Sequence, residues 1–257
     1  MPESIRVEQL SKLYRSRDGT EVEALRDVSF TVGRGEFVSI VGQSGCGKSS
    51  LLKILAGLLS KTSGVISIED RELDGPRSDI GLMFQKPLLL EWRRVLDNVL
   101  LPVEIYRLDR KKYEEKARRL LGTAGLADFL TKYPFELSGG MQQRVALCRA
   151  LVAEPSLLLM DEPFGALDTL TRQKMGFELL RLWEEWKSTV LFVTHDVDEA
   201  VMLSDKVLVM SSRPGTVLGS FSVDLARPRQ IFIKDTAEFI RISSRIRRCL
   251  WEEVADA

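Results

Sequence analysis

Three short stretches hold residue types that can do phosphate chemistry. Gly42-Gln43-Ser44-Gly45-Cys46-Gly47-Lys48-Ser49 matches GxxxxGK[ST] in full, with Ser50 continuing it. An apolar run, EFVSIV, precedes it and a helical pattern, SLLKILAGLL, follows. Glycines let backbone N–H groups turn inward around phosphate oxygens, and the helix start adds partial positive charge. In this pattern Lys48 reaches the β- and γ-phosphates and the Ser49 hydroxyl faces Mg²⁺. Cys46 lies inside the loop, so its alkylation is expected to block ATP hydrolysis, and bound ATP to protect it. The second stretch is Asp161-Glu162, where the run SLLLM ends. Ligands of open parallel sheets sit at the carboxyl ends of strands, so Asp161 is expected near the metal, with Glu162 as general base for the attacking water. The third is His195, the sole histidine, at the end of LFVT. Its ring can bridge a γ-phosphate and that water, since imidazole both donates and accepts.

A fourth stretch, Leu137-Ser138-Gly139-Gly140-Met141-Gln142-Gln143-Arg144, opens the helical run VALCRALV. Ser138 is a good N-cap, and the two glycines leave N–H groups bare at a helix start. It has no lysine and no metal acid of its own, so it can complete a phosphate site but cannot make one. The simplest physical solution is a second copy. Two chains placed head to tail about a two-fold axis would each cover the nucleotide held by the other.

The elements that must position these residues are readable in outline. Val28, Phe30 and Val32 alternate with polar residues, and VISIED, DIGLMFQ, TVLFVTHD and KVLVMSS read as further strands. RKKYEEKARRLLGTAGLADFL reads as charged helix broken at Gly122 and Gly125. We divide the 257 residues into an α/β core over 1–85 and 138–215, a helical lobe over 86–137, and an extension over 216–257. In the extension Phe239, Ile242, Ile246 and Cys249 share one helical face. The formal net charge of +0 argues against a free-standing nucleic-acid binder. Three widely spaced cysteines suggest no disulfide framework and fit a reducing compartment. No apolar run reaches the ~18 residues of a membrane span, and the N-terminus lacks a signal-type apolar core.

Taken together, these motifs resemble an ATP-binding-cassette ATPase over nearly the whole chain. The phosphate loop, Gln85 in LMFQ, LSGGMQQR, LLLMDEP, the Gly165–Asp168 stretch and His195 stand in that family's order and spacing. The resemblance implies a mainly parallel P-loop NTPase core with an antiparallel β subdomain and an inserted helical lobe. It implies ATP and Mg²⁺ as ligands, and an ATP-hydrolysing subunit that pairs as a homodimer on the cytoplasmic face of a membrane beneath permease subunits, indirectly serving a solute-binding protein. It assigns Tyr14 to adenine stacking and Gln85 to the metal and attacking water, and makes Asp168 a residue that communicates across the dimer. Ser138, Gly139, Gly140, Gln142 and Asp168 become contacts to the partner copy's ATP, and Ser49, Gln85 and Asp161 a metal set.

FQKPLLLEWRRVLDNVLLPVEI is further similar to the corresponding segment of importer ATPases for nitrate, sulfonates and taurine, in a group that also serves riboflavin and thiamine precursors. That family more often has proline before the tryptophan, where this chain has Glu91-Trp92. Leu88, Leu89, Leu90 and Trp92 can equally be read as lobe core. The competing classes are a soluble cassette ATPase acting on DNA or ribosomes, and an exporter subunit. The short interval between phosphate loop and LSGG, the single cassette and the neutral charge favour the importer.

Overall fold

The computed structural model describes residues 3–16, 19–165 and 167–255. The chain forms two compact units, Met1–Arg77 with Thr189–Ala257, and Ser78–Ser188. The second unit is wider than the 86–137 lobe. It takes in the strands around Gln85 and Glu162 and the LSGG helix as well.

The first unit opens with strands β1 (Glu3–Arg15) and β2 (Glu21–Gly33), then β3 (Phe37–Val41), helix α1 (Lys48–Leu55), β4 (Ser63–Ile68) and β5 (Arg71–Glu72). An antiparallel sheet of order β2-β1-β4-β5 pairs Val7 with Phe30 and with Ile66. β3 is buried at all five positions, the pattern of a strand covered on both faces.

The second unit contains β6 (Ile80–Met83), α2 (Val95–Val99), α3 (Leu101–Ile105), α4 (Arg110–Thr123), α5 (Gly139–Val152), β7 (Leu157–Asp161) and α6 (Thr169–Trp186). β6 and β7 pair in parallel, with Met83 opposite Met160. Helix α4 runs straight through Gly122, where a Cβ would meet nothing within 4 Å. The expected break there does not occur, because an exposed glycine costs a helix only about 1 kcal/mol. The left-handed residue is Gly125, at φ +69°. Trp92 is 75% exposed and Leu88 54%, so neither is lobe core.

The first unit resumes with β8 (Thr189–Thr194), α7 (Val197–Leu203), β9 (Lys206–Met210), β10 (Val217–Ser222) and α8 (Ala237–Ala255). β3 lies between β8 and β9, parallel to both, and β10 joins β9 antiparallel. Arg229, only 5% exposed, donates to the carbonyls of Val201, Met202 and Ser204 at the end of α7, so a buried cation satisfies helix-end acceptors. On α8, Phe239, Ile242 and Ile246 face inward as the periodicity predicts, and Cys249 is half-buried.

Candidate nucleotide site

The first unit builds the glycine-rich turn expected to cradle phosphate. β3 ends at Val41, and the chain turns through Gly42–Gly47 into α1 with Gly45 at φ +81° and Gly47 at +100°. These left-handed positions suit glycine, and a Cβ on Gly47 would stand 2.7 Å from the Ala24 carbonyl. Gln43, Ser44 and Gly45 form an exposed crown, and Ser49 is exposed on the first turn of α1. Lys48 is buried, its Nζ donating to the carbonyls of Gly42 and Gln43, both at 2.8 Å. The amine therefore sits in the loop's own concavity, where phosphate oxygens would meet it.

Tyr14, on β1, is brought to the same helix. Its hydroxyl lies 2.9 Å from Ser50 Oγ, and Lys12 Nζ stands 5.1 Å from its ring centroid. Tyr14 is 39% exposed, so a flat partner can reach it from solvent. His195 is exposed immediately after β8, whose Thr194 is in register with Val41. Strand pairing thus sets the histidine beside the entrance to the loop.

Sequence reasoning missed what holds the cradle from behind. Gly215 N–H donates to the Ala24 carbonyl, and a Cβ on Gly215 would fall 2.1 Å from the Cys46 carbonyl. Only a residue without a side chain lets these backbones meet, and no local pattern signals it.

Cys46 corrects an expectation. Its thiol points inward, is 1% exposed and lies 3.7 Å from Lys48 Nζ. The fold itself shields it, so protection by ATP cannot report on the site. Cys148 is also buried, and burial pushes its thiol up to about 12. We expect one thiol per folded chain, Cys249, to react promptly with a maleimide, and all three after unfolding. Prompt labelling of Cys46 in the native protein, read by peptide mass, would show the loop to be more open than this.

The second unit carries the acids and the LSGG turn. Parallel register sets Met83 opposite Met160, so Gln85 and Glu162 leave the ends of β6 and β7 side by side. A Cβ placed on Gly165 would lie 3.4 Å from Gln85 Nε2 and 3.6 Å from Glu162 Oε2, so both side chains converge on one point. Asp161 closes β7, half-buried. Glu162 has φ +43°, a left-handed conformation that non-glycine residues adopt at some expense and that concentrates at functional sites.

Ser138 caps α5, accepting from Met141 N–H at 3.3 Å, while Ser138 and Gly139 are exposed. A Cβ on Gly140 would approach Thr171 Cγ2 to 3.2 Å, which places the LSGG turn against the start of α6. Asp168 caps that helix. Hydrogen bonds from the Thr171 side chain and N–H hold its carboxyl below the usual range. Ala166, in the Gly165–Asp168 stretch, lies outside the described residues. Gln142 turns back, its Nε2 donating to the Pro134 carbonyl at 2.9 Å. The unit also has a groove of about 320 Å³, lined by Ile80, Leu82, Phe84, Leu88, Pro102, Ile105, Tyr106 and Arg149 among others.

Each unit, taken by itself, carries oxygen donors of the kind a hard divalent cation takes, Ser49 on the first and Gln85 and Asp161 on the second. No cluster of three or more His, Cys, Asp or Glu capable of a self-sufficient metal site occurs among the described residues.

The chain is similar to known proteins along most of its length. The family model described as ABC transporter matches residues 25–165, more than half the chain. An uncharacterized ABC transporter ATP-binding protein of Methanocaldococcus jannaschii is 42% identical over 254 residues, 99% of this chain and 94% of that protein. The taurine import ATP-binding protein TauB of Rhizobium johnstonii is 44% identical over 223 residues, 87% of this chain and 85% of its own. Among solved structures, a dimeric ATP-binding cassette in a post-hydrolysis state bound to ADP and Pi is 32% identical with a TM-score of 0.75, covering 86% of this chain and 100% of that one. A phosphate cradle, a paired strand-end glutamine and glutamate, and an LSGG helix cap occur here in a chain alike along its length to these ATPases: it belongs to the ABC transporter family.

Proposed function

We propose that the chain is the ATP-hydrolysing subunit of an ABC importer for a small solute of the taurine, sulfonate or nitrate type. The observation that carries this is the Gly42–Ser49 cradle, with its buried Lys48 amine and exposed Ser49, in a chain 44% identical to a taurine-import ATPase subunit. The adenine stacks on Tyr14, an interaction worth ~1–3 kcal/mol. Gly42, Gly45, Gly47 and the exposed crown give backbone N–H groups to the phosphates, while Ser50 holds the tyrosine. Mg²⁺, when bound, neutralises charge developing on the phosphoryl oxygens, and Ser49, Gln85 and Asp161 are the residues that would hold it.

Glu162 accepts a proton from the attacking water, and His195 orients that water and the γ-phosphate. The bare N–H groups at Ser138, Gly139 and Gly140 of a second copy complete the γ-phosphate shell, in a head-to-tail homodimer that traps two ATP molecules. Asp168, capping the neighbouring helix, reports closure across the dimer. With its amide donated to Pro134, Gln142 contributes through the shape of the turn.

ATP, touching Ser138 and Gly140 only in the closed dimer, shifts the equilibrium toward closure. About 5.5 kcal/mol of preference moves a 1:99 population to 99:1. Hydrolysis removes that preference. The apolar groove over Leu82, Phe84, Leu88 and Ile105 is where a permease helix docks, holding the chain at the cytoplasmic face of the membrane; none of its described helices is long and apolar enough to cross one. A solute-binding protein on the far side completes the importer.

Two measurements test this. ATPase rate should rise with the square of chain concentration until the dimer saturates, then linearly. Full turnover by strictly monomeric chain would overturn the shared site. Detergent extracts should yield the chain with integral membrane subunits; recovery with nucleic acid or ribosomes instead would point to the soluble class.

A further inference from the structure

The segment after Gln85 is gripped by side chains of helix α5. Gln143, three residues past the second LSGG glycine, is 2% exposed and donates from Nε2 to the Gln85 carbonyl at 2.8 Å. Further along the helix, Arg149 donates from Nη2 to the Pro87 carbonyl at 2.6 Å and from Nη1 to the Leu88 carbonyl at 2.8 Å. One helix thus takes up three of the four carbonyls between residues 85 and 88.

Burial alone would not select either residue. Gln143 Oε1 is buried and finds no donor among the described residues. A methionine of similar length would pack without stranding an acceptor. Among the described residues no carboxylate pairs with Arg149, and burial lowers the pKa of its guanidinium. An aliphatic residue would avoid placing a charge there. Departures of this kind from apolar packing concentrate where a structure must do something besides stay folded.

What the grip joins gives it a purpose. The 85–88 segment starts at Gln85, whose side chain converges with Glu162 near Gly165. It ends at Leu88, which lines the apolar groove with Arg149 and is in the left-handed region at φ +46°. Helix α5 is a continuous 14-residue rod, and its N-terminal turn is the LSGG turn. A displacement of the groove wall at Leu88 would therefore be carried through the Pro87 and Leu88 carbonyls to Arg149, along the rod, and to Ser138 and Gly140.

We propose that Gln143 and Arg149 are positioning residues that lock the LSGG helix to the Gln85–Leu88 segment, so that what fills the groove sets where Ser138 and Gly140 stand for the partner copy's γ-phosphate. This rests on the importer reading for the identity of both ligands, but the mechanical link does not.

The test uses the full-length chain carrying Gln143→Met, Arg149→Met or Arg149→Lys, each checked for a cooperative melt. The grip acts on closure and the cradle is untouched. ATP affinity should stay within about twofold while kcat falls about tenfold, the effect of losing one well-made hydrogen bond. Arg149→Lys, able to serve one carbonyl, should fall between wild type and Arg149→Met. Wild-type kcat in folded variants, or ATP affinity falling in step with kcat, overturns the proposal. A second readout needs no ATP. Hydrogen exchange in the nucleotide-free chain should speed up together in residues 84–90 and 138–142 when either grip residue is replaced. Loosening confined to 84–90 refutes the link even if the importer reading stands. Joint loosening in a chain that never hydrolyses ATP keeps the link and refutes the importer reading.

Discussion

Glu162→Gln will bind ATP with near wild-type affinity, hydrolyse it ~10²–10⁴-fold more slowly, the usual loss on removing a general base, and accumulate as a dimer in ATP. The substitution keeps the side chain's length, and its end still converges with Gln85 beside Gly165. What it removes is the capacity to take a proton from water. Closure depends on ATP contacts that glutamine leaves intact, so the closed state loses its exit. Size-exclusion chromatography with and without ATP, paired with a phosphate-release assay, reads both effects at once. Normal turnover would remove Glu162 from the base role. Slow turnover without dimer would separate hydrolysis from closure and weaken the shared-site reading.

Lys48→Ala should lose ATP at the first step. The amine stands 2.8 Å from two loop carbonyls and is the sole lysine in the cradle. Hydrogen bonds to charged groups are worth ~1.5–3 kcal/mol each, so ATP affinity should fall on the order of 100-fold or more. Removing the amine also leaves the Gly42 and Gln43 carbonyls without that donor, so the melting temperature should drop modestly even without nucleotide. Calorimetric titration with ATP measures the first effect and a thermal melt the second. An unchanged dissociation constant would undo the phosphate-loop assignment.

The turns that carry the candidate site residues were legible in the sequence wherever they are local along the chain. The cradle needs eight consecutive residues between a strand and a helix, and the helix cap at Ser138 needs four. Their spacing is their geometry. The strands were legible because Phe37–Val41, Leu157–Met160 and Thr189–Thr194 are buried at every position and read as mostly apolar runs, broken only by Ser39 and the two end threonines. The direction of single side chains was not. Nothing in GQSGCGKSS says that Cys46 faces inward, since the Met210 and Gly215 backbones that close on this loop lie far away in the chain.

Pairings across long separations were equally hidden. Gln143 and Gln85 are 58 positions apart, and Arg149 reaches carbonyls 61 and 62 positions away. Backbone carbonyls carry no residue identity that a reader of sequence could match. The break expected at Gly122 failed because helix packing on one side outweighs a small propensity penalty on the other. The 86–137 lobe was drawn from composition, and charged helices end where composition changes. Compactness follows contacts instead, and places β6, β7 and the LSGG helix in the same unit as the lobe.

The left-handed backbone at Glu162 has an evolutionary corollary. That conformation is native to glycine and readily tolerated by asparagine, neither of which can act as a base there. With Glu162 as the proposed base, the residues best suited to the chain's shape at this position are residues that end its work. A library of variants screened for heat resistance alone would drift toward inert protein at position 162, and only a screen that also demands turnover would keep the acid.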